Sequence, residues 1–350
     1  METLDILIIN AAVYKIPLEG YGGLEAIVHD LAAGIAKIGH NVTVASPYGS
    51  TVKGCKIIET VPPSIKDEEQ AANEVVLTNL REEGTHYDVI NDHTWQRWLI
   101  HNKEEMGLKI INTLHHPDSY STPPPVRYPC FVSPSQAAGE YISVKLGVPV
   151  RVIPHGIPID NFNYRESEEK ENFYLTLARI SPEKGIHQLI DVARRCRVKL
   201  YIAGDDIFPP DQAYVSQIIR RCHDTKGLVR YLGPISHEKK IELLSKSKAL
   251  LHAPLLPYRE IFGLNLVEAM ASGTPVIAYN NSAIPEVVGK GGAIVENADG
   301  MAMVIDAIEK GEITINSKSC LEQAKQFTVE NMVENYVDAF KGVIENGIEW

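Results

Sequence analysis

A largely apolar run, Leu4–Ile9, is followed after a long loop by Leu24, Ile27, Val28, Leu31, Ala32, Ile35 and Ile38 at helical spacing. Gly39 then stops the helix, and Val42–Ala45 supplies a second apolar run. A strand that is apolar along its length, rather than at alternate positions, is covered on both faces. A helix between two such strands makes a βαβ unit, whose strands run parallel. This feature commits the first part of the chain to a layered α/β architecture.

The alternation continues. Further strands are predicted at Lys56–Glu59, Asp88–Asn91, Lys109–Leu114, Cys130–Ser133 and Val150–Ile153, with helices at Glu69–Glu82 and Gln136–Leu146. Composition changes at Pro154–Asn172, where Pro, Gly, Asn and the charge run Arg165–Glu171 read as a linker. The pattern then restarts, with strands expected at Phe173–Leu177, Lys199–Ala203, Val229–Leu232, Ala249–His252, Val276–Tyr279 and Ala293–Val295. The expectation is two successive doubly wound α/β domains, residues 1–157 and 158–326. Residues 327–350 hold a separate amphipathic helix, Val329–Val343. In sheets of this kind ligands bind beyond the carboxyl ends of the strands.

Charge and cysteine usage narrow the partners. A net charge of -11 over 350 residues argues against nucleic acid, and residues 1–150 carry about -7 of it, a poor match for an anionic membrane surface. No apolar run is long enough to span a bilayer, and no basic segment precedes Leu4–Ile9 as in a signal peptide. Five cysteines without CxxC pairing point to a reducing cytoplasm and no zinc site.

Chemistry concentrates in Glu260–Val276. Glu268 is the one charge among Leu264, Leu266, Val267, Ala269 and Met270 on a predicted helix, and a carboxylate in such company needs a polar partner. The helix start near Phe262–Asn265 offers N–H groups and a positive dipole end, suited to phosphate. Upstream, Arg179 ends a strand and Lys184 heads the next helix across Ile180–Glu183, so the two cations can clamp a diphosphate without a metal. Gly22-Gly23 at the first helix entry would let backbone approach a phosphate or a sugar; an unliganded helix entry is the alternative.

His115, with His116, and His93 follow strands at their carboxyl ends, where an imidazole can meet a hydroxyl. Adjacent histidines rarely share one ion, and no carboxylate completes a set, so no metal is expected. His29, His40, His187, His223, His237 and His252 read as ordinary surface or core residues. His155-Gly156 reads equally as a hinge with a polar tip or a plain turn. Trp95, Trp98, Tyr120 and Tyr128 sit near first-domain loops, as partial core or as stacking platforms. No nucleophile elbow or phosphate-binding P-loop is present.

These residues together resemble the retaining GT-B glycosyltransferases of the GT4 group, over nearly the whole chain. The markers are Gly22-Gly23-Leu24-Glu25, Thr113-Leu114-His115, Ile153–Gly156, Ala178-Arg179 with Lys184-Gly185, and Glu260 to Glu268 followed by Ala269–Val276. The resemblance implies two Rossmann-like domains facing a central cleft, with Val329–Val343 crossing back to the first. It implies a nucleotide diphosphate sugar as co-substrate, UDP-glucose favoured, no other cofactor, and a small-molecule or saccharide acceptor. Arg179 and Lys184 would hold the diphosphate, Glu268 the ribose, and Glu260 the donor sugar beside the backbone amides of Phe262, Gly263 and Leu264. Gly22 and Gly23 would close over the phosphates, and His115 would contact the sugar. Retention would proceed by front-face attack. His155 stands where the family often has Asn. A sugar-nucleotide epimerase and a non-catalytic sugar-nucleotide-binding protein are the competing readings, and the oligomeric state is open.

Overall fold

The computed structural model describes residues 2–17, 22–64, 68–82, 86–95, 98–116, 130–205 and 211–346. They divide into two compact units, one holding the described residues up to Gly156 together with the last helix, the other Ile157–Thr328. Tyr120 and Tyr128 fall outside the described residues.

In the first unit the chain runs β1 (Asp5–Ile9), α1 (Gly23–Lys37), β2 (Asn41–Ser46), β3 (Lys56–Glu59), α2 (Glu69–Glu82), β4 (Val89–Asp92), α3 (Lys103–Met106), β5 (Ile110–Thr113), β6 (Cys130–Ser133), α4 (Gln136–Leu146) and β7 (Val150–Val152). The strands form one parallel sheet in the order β3-β2-β1-β4-β5-β6-β7. The order reverses direction at β1, the switch point at which open α/β sheets leave a crevice. Leu7, Ile9, Ala45, Val76, Ile90 and Ile110 fill part of the core. Ser135 caps α4 by accepting from the Ala138 amide, and Gly147 closes the helix in the left-handed region.

The second unit runs β8 (Tyr174–Leu177), α5 (Ile186–Cys196), β9 (Leu200–Ala203), α6 (Gln212–His223), β10 (Val229–Gly233), α7 (His237–Lys246), β11 (Ala249–His252), α8 (Leu264–Ala271), β12 (Val276–Tyr279), α9 (Ile284–Val288), β13 (Gly292–Val295), α10 (Ala298–Glu309) and α11 (Ser317–Ala324). Its parallel sheet has the order β10-β9-β8-β11-β12-β13. Helices cover both faces: Leu189, Ile190, Ile218 and Ile305 pack on one, Leu266, Val267, Met270 and Val287 on the other. Each such side chain contributes about 1.5–3 kcal/mol by leaving water. Both units are therefore Rossmann-like, as the alternating sequence pattern requires.

The final helix, α12 (Val329–Asn346), belongs to the first unit. It lies so close to α1 that a Cβ at Gly34 would come within 2.5 Å of the Val333 side chain. Its own Tyr336, Phe340 and Val343 are fully buried.

The stretch read as a linker, Pro154–Asn172, holds the passage between the two units at Gly156–Ile157, but most of it is not a free linker. From Ile157 onward it is docked on the second unit: Phe162 is buried, and the Arg165 amide donates to Ser272 O. Lys170 Nζ donates to Ser245 O at 2.9 Å, Ser272 O at 2.8 Å and Thr274 Oγ1 at 2.8 Å, and burial lowers its pKa to about 8. Polar composition hid this docking, because a lysine that satisfies buried carbonyls looks in sequence like a lysine in water.

Candidate active site

In the second unit the site grows from the turn after β8. Pro182–Lys184 makes one 3-10 turn, and Gly185 follows at φ 65°. A Cβ there would lie 2.0 Å from the carbonyl oxygen of Ala253, so only glycine permits this approach to the end of β11. The approach delivers Lys184 into the protein. Its side chain is 8% exposed, with Nζ donating to Glu260 Oε2 at 2.7 Å and to the Tyr258 hydroxyl at 2.8 Å; it lies 4.2 Å from the centre of that ring.

Glu260 accepts twice more. His252 Nε2 lies 3.1 Å from Oε2 and the Tyr258 hydroxyl 3.3 Å from Oε1, while the Glu260 amide donates to Asn281 Oδ1 at 2.9 Å. Burial by itself would push the Glu260 carboxyl up, but Lys184 beside it, helped by His252, holds it well below the usual carboxylate range. The pair is therefore charged although buried. Asn265 Nδ2 donates to Leu177 O at 2.8 Å and faces His252 Nδ1 at 3.4 Å, so the His252 proton sits on Nε2, toward the carboxylate.

Arg179, half-buried at the end of β8, donates from Nη2 to Glu183 Oε1 at 2.9 Å, and Ser181 Oγ donates to the same oxygen at 2.7 Å. Desolvation would raise the Glu183 carboxyl, yet Ser181, its own amide, Arg179 and Lys184 together lower it. Glu268 finds its polar partner in Lys240 of α7, at 2.6 Å. Helix α8 opens after Gly263, three residues past Glu260 in the chain. The Phe262 side chain packs edge-on against Phe327 in the core, leaving only its backbone for a ligand. The second unit thus brings Lys184 and Glu260 into contact, places Arg179 one turn away, and pairs Glu268 with a different lysine.

In the first unit Gly22 precedes α1 and Gly23 opens it. The buried Glu25 nearby has its carboxyl pushed up to about 7 by burial. His115 is half-buried after β5, with its Nε2 2.9 Å from Nδ1 of the buried His93, and its ring stacks on His155 at 5.4 Å and 16°. Burial pushes both His93 and His155 down to about 3, so both rings are neutral. Tyr336 of α12 reaches Thr113 Oγ1 at 2.9 Å, at the end of β5 and two residues before His115.

Two histidine expectations are corrected. His155, read as a hinge with a polar tip or a plain turn, is a buried ring stacked on His115, one residue before the boundary between the two units. His252, expected to be ordinary, is a direct partner of Glu260. It is the last residue of β11, as His93 is the first residue after β4, and that place at a strand's carboxyl end was the available signal. Asn281 and Lys240 carried no sequence signal, since their partners lie on other elements, and Tyr258 was passed over although its partner Glu260 is two residues away. Among the described residues, no group of three or more His, Cys, Asp or Glu is arranged to hold a metal ion, and no helix is long and apolar enough to cross a membrane.

Comparison with known proteins bears on these sites. Residues 160–327 match the family model described as Glycosyl transferases group 1, and residues 21–161 match that of Glycosyltransferase Family 4. The O-antigen chain mannosyltransferase B of Escherichia coli is 28% identical over 181 residues, 49% of this chain and 46% of that protein. The chain spans about half the length of the curated relatives it matches. A glycosyltransferase involved in avilamycin A biosynthesis superposes with a TM-score of 0.74 at 23% identity, covering 98% of both chains. Anabaena HepE, solved with UDP and glucose, superposes with a TM-score of 0.74 at 20% identity over 97% of this chain and 100% of that one. These structural likenesses are likenesses of fold.

Proposed function

The chain belongs to the group 1 glycosyl transferases, with a GT-B fold, and from that premise we propose that it transfers a hexose from a nucleotide diphosphate sugar to a hydroxyl of a saccharide or small-molecule acceptor, with retention at the anomeric carbon. UDP-glucose is the donor we favour. The carrying observation is the buried Lys184–Glu260 pair, with Arg179 one turn away and the start of α8 alongside.

Each part has a task that a sugar nucleotide sets. The departing nucleoside diphosphate develops negative charge, which Arg179, Lys184 and the positive end of α8 meet with cations and amides already in place. Glu260 stays ionised and offers acceptor lone pairs to hydroxyls of the sugar, while Glu268 does the same for the ribose. Lys184 is shared between Glu260 and the incoming phosphate, so the buried carboxylate is never left without a cation. No divalent ion is required for leaving-group stabilisation. Gly22, Gly23 and His115 are assigned to the same donor as part of this reading. The names of the relatives support hexose transfer in general. They include mannosyltransferases as well as a neighbour solved with UDP and glucose, so GDP-mannose is the comparison donor.

A thermal-shift panel of UDP-glucose, UDP-galactose, UDP-N-acetylglucosamine and GDP-mannose tests the donor. A ligand at one hundred times its Kd stabilises the folded state by about 2.7 kcal/mol, an increase of a few degrees in Tm. Slow release of nucleoside diphosphate without acceptor marks a transferase. Recovery of an isomerised sugar nucleotide, or no shift with any donor, overturns the reading.

A further inference from the structure

Lys239 and Lys240 stand side by side on α7 and meet different carboxylates. Lys239 Nζ reaches Glu242 Oε2 at 2.7 Å within its own helix, and the two side chains are 47% and 42% exposed. A pair so open to water contributes little. Lys240 shares a helix face with the fully buried Leu244, four residues on, so its stem lies on the core side of α7. Its Nζ leaves the helix and meets Glu268 Oε1 of α8 at 2.6 Å, with the side chains 25% and 13% exposed.

That pair uses part of what each group offers. An ammonium has three hydrogens to donate, and a carboxylate has two oxygens that accept. Among the described residues, neither Lys240 Nζ nor the Glu268 carboxylate makes another hydrogen bond, and Glu268 Oε2 is not sealed from solvent. A carboxylate by itself takes hydroxyls only through their protons. With an ammonium on one oxygen it presents an acceptor and a donor next to each other. A vicinal diol matches this arrangement, because a hydroxyl can donate or accept. A phosphate oxygen in the same place would meet Oε2 as a like charge.

We propose that Lys240 is a binding residue of the nucleoside subsite and forms with Glu268 a donor–acceptor pair for the ribose diol. One hydroxyl donates to Glu268 Oε2, and its neighbour accepts from Lys240 Nζ. That the diol belongs to a nucleoside rests on the proposed function; the open donor and acceptor do not. Lys240 also offsets the charge of Glu268, so the subsite does not repel the phosphates of the same ligand.

Titration calorimetry on the wild type, Lys240→Met and Lys240→Arg tests this, with UDP and its 2′-deoxy and 3′-deoxy forms, and the same set for GDP. The wild type should bind each deoxy form about 10-fold more weakly than its parent. Lys240→Met should bind the parent about 10- to 100-fold more weakly. Its preference over one of the two deoxy forms should shrink to about twofold or less, while the other preference, which belongs to Glu268, persists. Lys240→Arg keeps a cationic N–H donor and should restore most of both. A lysine that only ties α7 to α8 would weaken parent and deoxy forms by one common factor. Preferences unaltered in Lys240→Met therefore overturn the proposal and leave the donor reading standing. If neither UDP nor GDP binds the wild type, the donor reading falls and the nucleoside assignment with it. If Lys240→Met does not fold, acetylation of the wild type by acetic anhydride decides. The saturating parent nucleotide should shield Lys240 and one of its deoxy forms should shield it less; equal shielding by all three overturns the proposal.

Discussion

The two polar clusters both lie beyond the carboxyl ends of strands in their respective sheets and are built on opposite electrostatic principles. In the second unit, beyond β8 and β11, a full positive and a full negative charge are buried 2.7 Å apart, with His252 and Tyr258 supplying further hydrogen bonds. In the first unit, beyond β4, β5 and β7, the buried groups His93, His155, Asn91 and Thr113 are neutral, ordered only by which atom donates. A parallel Rossmann-like sheet dictates where a site forms, not its polarity. The charged cluster suits a substrate that brings anionic phosphates. The neutral cluster suits hydroxyls, which need direction more than charge.

The sharpest way to break the comparison is to remove half of the charged pair. Lys184→Ala and Glu260→Ala each leave an uncompensated buried charge and should cost about 3–5 kcal/mol of stability, together with nearly all transferase activity. The double variant Lys184→Met with Glu260→Leu should recover most of the stability and none of the activity. Calorimetric unfolding and initial rates measure both, and single variants as stable as the wild type would show that the pair is not the charged, buried unit described.

A somewhat smaller effect is expected at the edge of that cluster. Arg179→Ala and Glu268→Ala should each weaken nucleoside diphosphate binding by about 10- to 100-fold, the worth of a charge-assisted hydrogen bond. Titration calorimetry reads this, and unchanged affinity in both variants would remove the donor site from this unit.

Acid separates the two regions. His93 and His155 have folded pKa values depressed to about 3 from an ordinary 6.5, so the unfolded chain takes up protons first. The stability they contribute is present above about pH 6.5 and falls by about 1.4 kcal/mol per pH unit per histidine as the pH drops below it. Glu260 is also depressed, but from 4.5, so its contribution persists until the pH falls through that value. Between those two pH values His93 and His155 lose stability together with His40 and His187, whose pKa burial also lowers, while Glu25, raised to about 7, offsets part of the loss. A pH series of Tm should therefore keep its upper limb in the Lys184→Met/Glu260→Leu protein and flatten it in His155→Phe. An upper limb that does not change in His155→Phe would reassign the titration.

The smallest expected effect is that of a chelator. Activity in EDTA should stay within about twofold of the control, because fixed cations and amides serve the leaving group. A strict metal requirement would mean that the charged cluster is incomplete without an ion.

Much of the fold was legible because strand–helix alternation is local. β3, β6, β11, β12, α2 and α4 have the bounds that apolar runs and breakers predict. Glu268 was marked as needing a partner from its apolar neighbours alone. Its partner, Lys240, was not, because α7 and α8 meet only after β11 has been laid between them. His252 and His155 were undervalued for the same reason, each meeting its partner across the end of a sheet. The docked segment after Ile157 was misread because charge and proline signal exposure only until a second surface satisfies them.

By itself the sequence determined the alternation of elements, hence the parallel sheets, and the set of charged and imidazole groups delivered to their strand ends. Tertiary structure decided how those groups are paired and which way each hydrogen bond runs. Asn91 shows why: its amide is turned by a carbonyl on the neighbouring strand, a contact fixed by the register of β4 against β5. Register is a property of two strands together, so neither stretch of sequence contains it alone.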